Sequence, residues 1–334
     1  MLREQWQRNL AGILVAGFVS ILGFNLVFPF LPLYIQSLGS YTTGEAAFWT
    51  GIIGLVTGIV GSVAALVWGQ LADRRGRKPM LIRATAGAAL GLVTMGVSQN
   101  IGHLLVGRAV FSALAGTVPA ANPLIASHTP PEHLSMAIGS LQSAVYLSNM
   151  LGPLVGGALA STVGYRYSFL LTAAVYVASA LPVVWLVRER FTPPAAPRGL
   201  VAGMRADFRD VLRDESIALP MVAALFALLG ANVVSPIIAL LVRELVGAAR
   251  AEALSGVAFG VQGLTSAVAA LSVGRLVARW GYRRLLRVTG PVTMATFLAM
   301  WAAPNYQTLV ALMALSGAMQ GMQAPALSAL IAAR

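Results

Sequence analysis

Ten apolar stretches of helix length fill most of this chain, and nothing else in the sequence constrains its fold as strongly. They run over residues 10–35, 46–69, 79–98, 102–126, 135–160, 165–187, 217–242, 253–273, 285–303 and 307–331. A membrane-crossing helix needs about 20 predominantly apolar residues, and each stretch meets that length. A transmembrane barrel would instead show strands of about ten residues with alternating polarity. Only 10% of residues are charged, against about 25% in soluble domains, so a soluble globular fold is excluded. The first stretch is too long for a cleaved signal, has no small-residue cleavage site, and runs into Pro29 and Pro32. The expected fold class is therefore an all-α, multi-pass membrane protein.

The net charge of +12 would suggest nucleic acid in a soluble chain, but the placement of the cations gives another answer. With the N-terminus in the cytoplasm, 19 of the 23 Lys and Arg residues fall on the cytoplasmic side. Arg166, Arg243 and Arg250 fall on the other side, and Arg108 lies within a span. Such asymmetry sets orientation in the membrane, and basic loops sit beside anionic lipid. The expected partners are the lipid bilayer and a small molecule, with no nucleic acid, and the expected state is a monomer. The chain contains no cysteine, which rules out disulfides, thiolate metal sites and cysteine catalysis. No metal, cofactor or enzymatic activity is expected. There is no nucleophile elbow, and no P-loop, because Lys78 is followed by Pro79 rather than Ser or Thr.

An internal repeat organises the spans. GFNLVFPFLPLYIQSL (23–38) aligns with GANVVSPIIALLVREL (230–245) at an offset of 207, pairing Gly23 with Gly230, Asn25 with Asn232 and Pro29 with Pro236. GQLADRRGRKPML (69–81) aligns with GRLVARWGYRRLL (274–286) at an offset of 205, pairing Gly69 with Gly274 and Gly76 with Gly281. Two ordered matches at nearly one offset imply duplicated six-helix units in parallel orientation. Duplicated halves that rock about a central site are a transporter signature. The expected organisation is an N-terminal bundle over 1–187, a polar cytoplasmic linker over 188–215, and a C-terminal bundle over 216–334. This gives six spans plus four, and by the repeat the last two spans would be missing.

Three motifs carry a family resemblance. GQLADRRGRK resembles the loop between spans two and three of the major facilitator superfamily, which implies a conformational latch built from Gly69, Asp73, Arg74, Gly76, Arg77 and Lys78. Gly69 and Gly76 would allow a tight turn, and Asp73 among cations would be ion-paired; a purely topogenic basic loop is the alternative. SNMLGPLVGG (148–157) resembles the antiporter motif, with Ser148 in place of its first glycine and Gly152, Pro153, Gly156 and Gly157 kept. Independently of the family, small residues at this spacing allow close helix contact. LLVGRAVFSALAG (104–116) resembles a third motif around Arg108, with Phe111 and Ser112 replacing the usual Gln-Gly. The resemblance implies proton coupling for Arg108; snorkelling to the nearby interface is the alternative.

PFLPLYIQSLG (29–39), GTVPAANPLIA (116–126) and GYRYSFLLTA (164–173) are similar to bacterial drug:proton antiporters of the multidrug-efflux type, near the tetracycline exporters. The resemblance implies proton-coupled efflux of small amphipathic drugs across the bacterial inner membrane. A metabolite or sugar carrier on the same fold, and a non-transporting truncated protein, are the alternatives.

Polar residues at span depth are the expected lining of the substrate cavity: Asn25, Asn122, Gln142, Tyr146, Asn149, Asn232, Gln262 and Gln320, with Pro29 and Pro236 breaking equivalent spans. Each amide could equally be an interhelical hydrogen bond. Phe24, Phe28, Phe30, Phe111 and Tyr146 could supply aromatic walls. No Asp or Glu lies deep in any span, so the identity of a proton-carrying residue stays open. Gly54 and Gly58 in span two are expected to pack inside the monomer.

Overall fold

The computed structural model describes residues 4–189, 191 and 237–332. Asn232, Pro236 and nearly all of the 188–215 segment lie outside the described residues, as does most of the 217–242 stretch. Within the described residues the chain is helical, with no strand. We label the helices α1 (Gln5–Val27), α2 (Leu31–Ser37), α3 (Thr43–Arg75), α4 (Arg77–Gly96), α5 (Ile101–Leu114), α6 (Thr117–His128), α7 (Pro131–Leu186), α8 (237–246), α9 (Ala251–Trp301) and α10 (Tyr306–Ala332). Among the described residues, five helical stretches are long and apolar enough to cross a membrane: Gln5–Ser37, Thr43–Arg75, Arg77–Gly96, Pro131–Leu186 and Ala248–Val273.

The breaks follow residue chemistry. Between α1 and α2 the chain tightens into a 3-10 turn, Phe28–Phe30, with Pro29 inside it and Pro32 in the first turn of α2. Proline lacks an N–H and interrupts the α-helical ladder. Gly164 bends α7 into two arms, and Gly281 does the same to α9. Gly281 (φ 73°, ψ 157°) has nearly the backbone shape of Gly76 (φ 93°, ψ 161°) between α3 and α4. These are the two glycines that the repeat pairs, and positive φ is strained for a residue with a Cβ. The duplication therefore extends to backbone conformation.

Span four is not continuous, contrary to its reading as one segment over 102–126. It breaks at Ala115 and Gly116 (φ 127°) into α5 and α6. The carbonyls freed at the end of α5 find donors on neighbouring helices. Trp68 Nε1 donates to Ala113 O (2.6 Å) and Arg83 to Leu114 O (2.5 Å), with the Arg83 guanidinium stacked 3.7 Å over the Trp68 ring. Irregular backbone at membrane depth persists where protein groups satisfy it in this way.

The helices run alternately between two ends. The basic end holds the start of α1, the Gly76 turn and the end of α7. The far end holds the α2–α3 connection, Gly164 and residues 247–250. Apolar packing differs between the two ends. At the far end one continuous cluster joins both halves, combining Leu33, Tyr34, Ile35 and Met95 with Ile238, Leu240, Phe259 and Met313. At the basic end the halves have separate clusters, one around Leu10, Leu81, Leu141 and Val183 and one around Val273 and Leu285. Among the described residues the two halves are thus closed against each other at the far end and apart at the basic end.

Contrary to expectation, Gly54 and Gly58 do not pack against another helix among the described residues. A Cβ at Gly51, Gly54 or Gly58 would meet no heavy atom within 4 Å, and Leu55, Ile59 and Val63 on the same helix are exposed. At the repeat offset of 205, Gly51 and Gly58 correspond to Gly256 and Gly263 on α9, a face that α7 covers. No described residue covers the α3 face.

Candidate functional site

The residues 148–157 place small side chains on two faces of the first arm of α7, and each face meets a different helix. Gly152 and Gly156 face α1. A Cβ on Gly152 would lie 2.5 Å from Asn25 Cβ, and one on Gly156 would overlap the Leu26 carbonyl oxygen. Gly157 and Pro153 face α9, where a Cβ on Gly157 would lie 2.5 Å from Glu252 O and one on Gly256 the same distance from Pro153 O. Further down, Gly263 packs on the backbone of Asn149 and Met150. The motif is therefore a spacer-free seam between three helices, joining α1 to α7 within one half and α7 to α9 across the halves. Ser148, the departure from the motif, is buried and donates to Phe18 O on α1 (3.0 Å). The buried hydroxyl is thereby satisfied by a helix carbonyl that has a lone pair to spare.

That seam brings two of the expected cavity residues together. Asn25 Nδ2 donates to Asn149 Oδ1 at 2.7 Å. The pair sits at mid-depth, level with Gly263 of the α7–α9 seam. Pro29 is buried in the 3-10 turn just beyond it. Gln142 and Tyr146 follow on the same arm of α7, and the Tyr146 hydroxyl is buried without a hydrogen bond among the described residues. Asn122, on α6, is exposed, as is Gln142. In the second half Gln262 donates to Ser316 (3.2 Å), and Gln323 to Thr293 (2.9 Å). The Gln320 amide nitrogen is buried without a hydrogen bond among the described residues.

Arg108 is held inside the first half rather than snorkelling. It is 6% exposed, and its Nε donates to Thr57 Oγ1 on α3 (2.9 Å). Its guanidinium lies 3.6 Å over the Phe28 ring and 5.4 Å from both Phe24 and Phe111. Phe24, Phe28 and Phe111 also touch one another. Cation–aromatic attraction is worth about 2 kcal/mol when desolvated, and it offsets part of the cost of a cation at this depth. No carboxylate among the described residues pairs with Arg108, and its Nη1 meets no acceptor there. Three of the five expected aromatic wall residues thus form a cage around the Arg108 guanidinium. Phe30 is buried in the far-end cluster instead.

At the basic end the 69–78 loop is anchored by a residue that sequence reasoning missed. Glu189, just past α7, accepts from the backbone N–H groups of Arg77 and Lys78 (2.8 Å each). These are unpaired donors at the N-terminus of α4, where a negative charge also complements the helix dipole. In return Lys78 Nζ donates to Val184 O (2.9 Å) and Val187 O (2.7 Å), carbonyls at the end of α7. Arg77 reaches Pro123 O on α6 (2.7 Å). Gly76 leaves room for this clamp, because a Cβ there would sit 2.8 Å from Glu189 Oε2. Asn9 closes the arrangement by exchanging two hydrogen bonds with the Arg188 backbone.

Two expectations for this loop change. Gly69 lies inside α3 with nothing within 4 Å, so only Gly76 makes the turn. Asp73 and Arg74 are exposed at the end of α3, and Asp73 pairs with none of the described residues. The only sequence signal for Glu189 was a lone acid flanked by Arg188 and Arg190. Replacing Glu189 with alanine is expected to lower stability by about 0.5–2 kcal/mol, the usual cost of a lost N-cap. Thermal unfolding of the purified protein would register it, and Glu189→Gln should recover part of the loss.

Two halves of alternating spans, a glycine seam between them and a buried polar centre define a membrane carrier of the duplicated, rocking type. A family model of the Major Facilitator Superfamily matches residues 13–231 and 220–334. Multidrug resistance protein MdtG of Proteus mirabilis (strain HI4320) is 34% identical over 329 residues, covering 98% of this chain and 81% of that protein. MdtG of Enterobacter lignolyticus (strain SCF1) is 34% identical over 333 residues, covering 98% and 78%. Among solved structures, a D-xylose-proton symporter superposes with a TM-score of 0.70 at 12% identity, covering 99% of this chain and 86% of the other. A bacterial homologue of the human lysosomal transporter Spinster gives 0.68 at 18% identity, covering 99% and 80%. The chain belongs to the Major Facilitator Superfamily, and its relatives there include multidrug resistance proteins.

Proposed function

We propose that the protein is a proton-coupled exporter of small amphipathic drugs that works by alternating access. The observation that carries this reading is the asymmetry between the ends. The halves are joined at the far end by one apolar cluster and the α7–α9 seam, whereas at the basic end each half has its own cluster. Such a geometry exposes a central site to one side only. The multidrug relatives supply the substrate class.

In this reading the basic end is cytoplasmic, as the distribution of cations supports, and the protein is a monomer of the bacterial inner membrane. Residues 1–187 form one bundle and 216–334 the other, joined by the 188–215 linker, in a six-plus-four arrangement of spans. Asn25, Pro29, Asn122, Gln142, Tyr146, Asn149, Gln262 and Gln320 line the path, with Asn232 and Pro236 at the equivalent place in the second half. Gly76, Arg77 and Lys78, clamped by Glu189, form the core of the latch loop, and Arg108 takes part in proton coupling.

Expression of the full chain in a drug-sensitive host should raise tolerance to at least one compound of a broad amphipathic panel. Unchanged tolerance across the whole panel, with the protein present in the membrane, would end the efflux reading.

A further inference from the structure

Every Asp and Glu of the sequence lies outside the ten apolar stretches, while Arg108 lies inside one. Glu252, which opens α9 at the far end, accepts from the Tyr165 hydroxyl there (2.5 Å). The middle of the protein therefore carries a positive charge and no acid to balance it.

The bonding of Arg108 leaves that charge available. Its Nη1 is buried and donates to nothing among the described residues, although a guanidinium nitrogen can only donate. Arg83 and Arg166, nearer to span ends, rest on the carbonyls of Leu114 (2.5 Å) and Ser98 (3.0 Å). Among the described residues, Arg108 donates only to the Thr57 hydroxyl (2.9 Å). One turn along α5, the Ser112 oxygen is likewise buried without a hydrogen bond, and so is the Gln320 amide nitrogen in the second half. Buried donors left unpaired cost free energy until an acceptor arrives.

The aromatic rings point to the same cargo. The faces of Phe24, Phe28 and Phe111 could attract a cationic drug, but the guanidinium already lies over them. A second cation would meet occupied faces and a like charge. Phe24 is 38% exposed and adjoins Asn25 of the central amide pair, so the cage has an open wall next to the candidate site.

We propose that the cargo is an amphipathic anion, whose carboxylate or sulfonate pairs with Arg108 while its apolar part lies against the phenyl rings. The inference rests on the efflux reading above and narrows its substrate class. Occupied by an anion, the site is electrically balanced, which offsets the cost of a lone buried cation. Lipophilic cations find no carboxylate to hold them. Binding at Arg108 needs no proton gradient, so it is measurable at equilibrium.

Three dansyl probes built on one aminohexanoyl body test the charge directly. One ends in a carboxylate, one in its methyl ester and one in a trimethylammonium group. Their fluorescence is titrated against the full chain in nanodiscs of zwitterionic lipid at neutral pH, with empty nanodiscs as the blank. The carboxylate probe should bind at least about tenfold more tightly than the ammonium probe, as expected for a charge-assisted hydrogen bond. Arg108→Gln should remove that preference and leave binding of the ester unchanged, which also reports a folded variant. Asn149→Asp keeps the acceptor that Asn25 uses and adds a carboxylate at mid-depth. It should raise affinity for the ammonium probe about tenfold. A carboxylate probe that binds the parent no more tightly than the ammonium probe, or a preference that survives Arg108→Gln, overturns the proposal. If Arg108→Gln loses the ester as well, Asn149→Asp decides, and an unchanged preference there counts against the proposal. A failed drug panel with charge-selective binding refutes export alone. Drug tolerance gained equally against cations and anions refutes the anion reading alone.

Discussion

Replacing Gly156 with leucine is expected to abolish drug tolerance conferred by the protein, while Gly58→Leu leaves it unchanged. Both glycines lie in apolar helices and both were expected to pack inside the monomer. A Cβ on Gly156 would overlap Leu26 O and lie 2.8 Å from Leu26 C. These are backbone atoms, so the obstruction cannot rotate away as a side-chain tip could. Relief requires α1 to move off α7, which pulls Asn25 from Asn149 and separates the middle of the site. Overpacking of this kind costs about 1–3 kcal/mol, and the lost amide bond adds about 0.6–2 kcal/mol. A Cβ on Gly58 meets nothing within 4 Å. Drug tolerance together with thermal unfolding of both variants decides the matter. Full tolerance in the Gly156→Leu protein would show that close approach of α1 and α7 is not needed.

Arg108→Ala should cut proton-linked transport by about a hundredfold, roughly 3 kcal/mol at 1.36 kcal/mol per decade, without loss of stability. The side chain is a buried cation with one hydrogen bond and three aromatic neighbours, and no described carboxylate pairs with it. Removing it takes away an ionic desolvation cost and leaves Thr57 still donating to Ile53 O (2.7 Å). The unfolding midpoint is therefore expected to hold or rise. Arg108→Lys should also fail, because an ammonium lacks the planar face that stacks on Phe28. Substrate-induced proton release from reconstituted protein is the measurement. Release at parental levels in Arg108→Ala would remove the residue from coupling, while a stable but uncoupled variant would assign it a role beyond packing.

The two glycine motifs show how far the sequence could be read. The positions of Gly76 and Gly281 were legible because a turn between antiparallel helices needs a residue free of a Cβ penalty, and the repeat marked both. The seam at Gly152, Gly156 and Gly157 was legible as small-residue packing. Which face met which helix was not, because that depends on the rotation of α7 against α1 and α9. Arg108 was readable as a cation at depth, while its cage joins residues from α1, the Phe28–Phe30 turn, α3 and α5. The role of Glu189 was not readable from its lone acid between two arginines, since its partners are backbone N–H groups 111 and 112 residues away.

Apolar segment lengths, the asymmetry of cations and the internal repeat thus determined by sequence alone that the chain is a helical membrane protein of duplicated halves. Local composition is enough for this, because a bilayer demands long apolar helices whatever their partners. Only the tertiary structure decided that span four is broken and that its loose carbonyls rest on Trp68 and Arg83. It alone decided that the halves close at the far end, and that Glu252 and Tyr165 meet there. Those features arise from contacts between residues far apart in the chain, where hydrogen-bond geometry and van der Waals clearance depend on how the helices are rotated and tilted against one another.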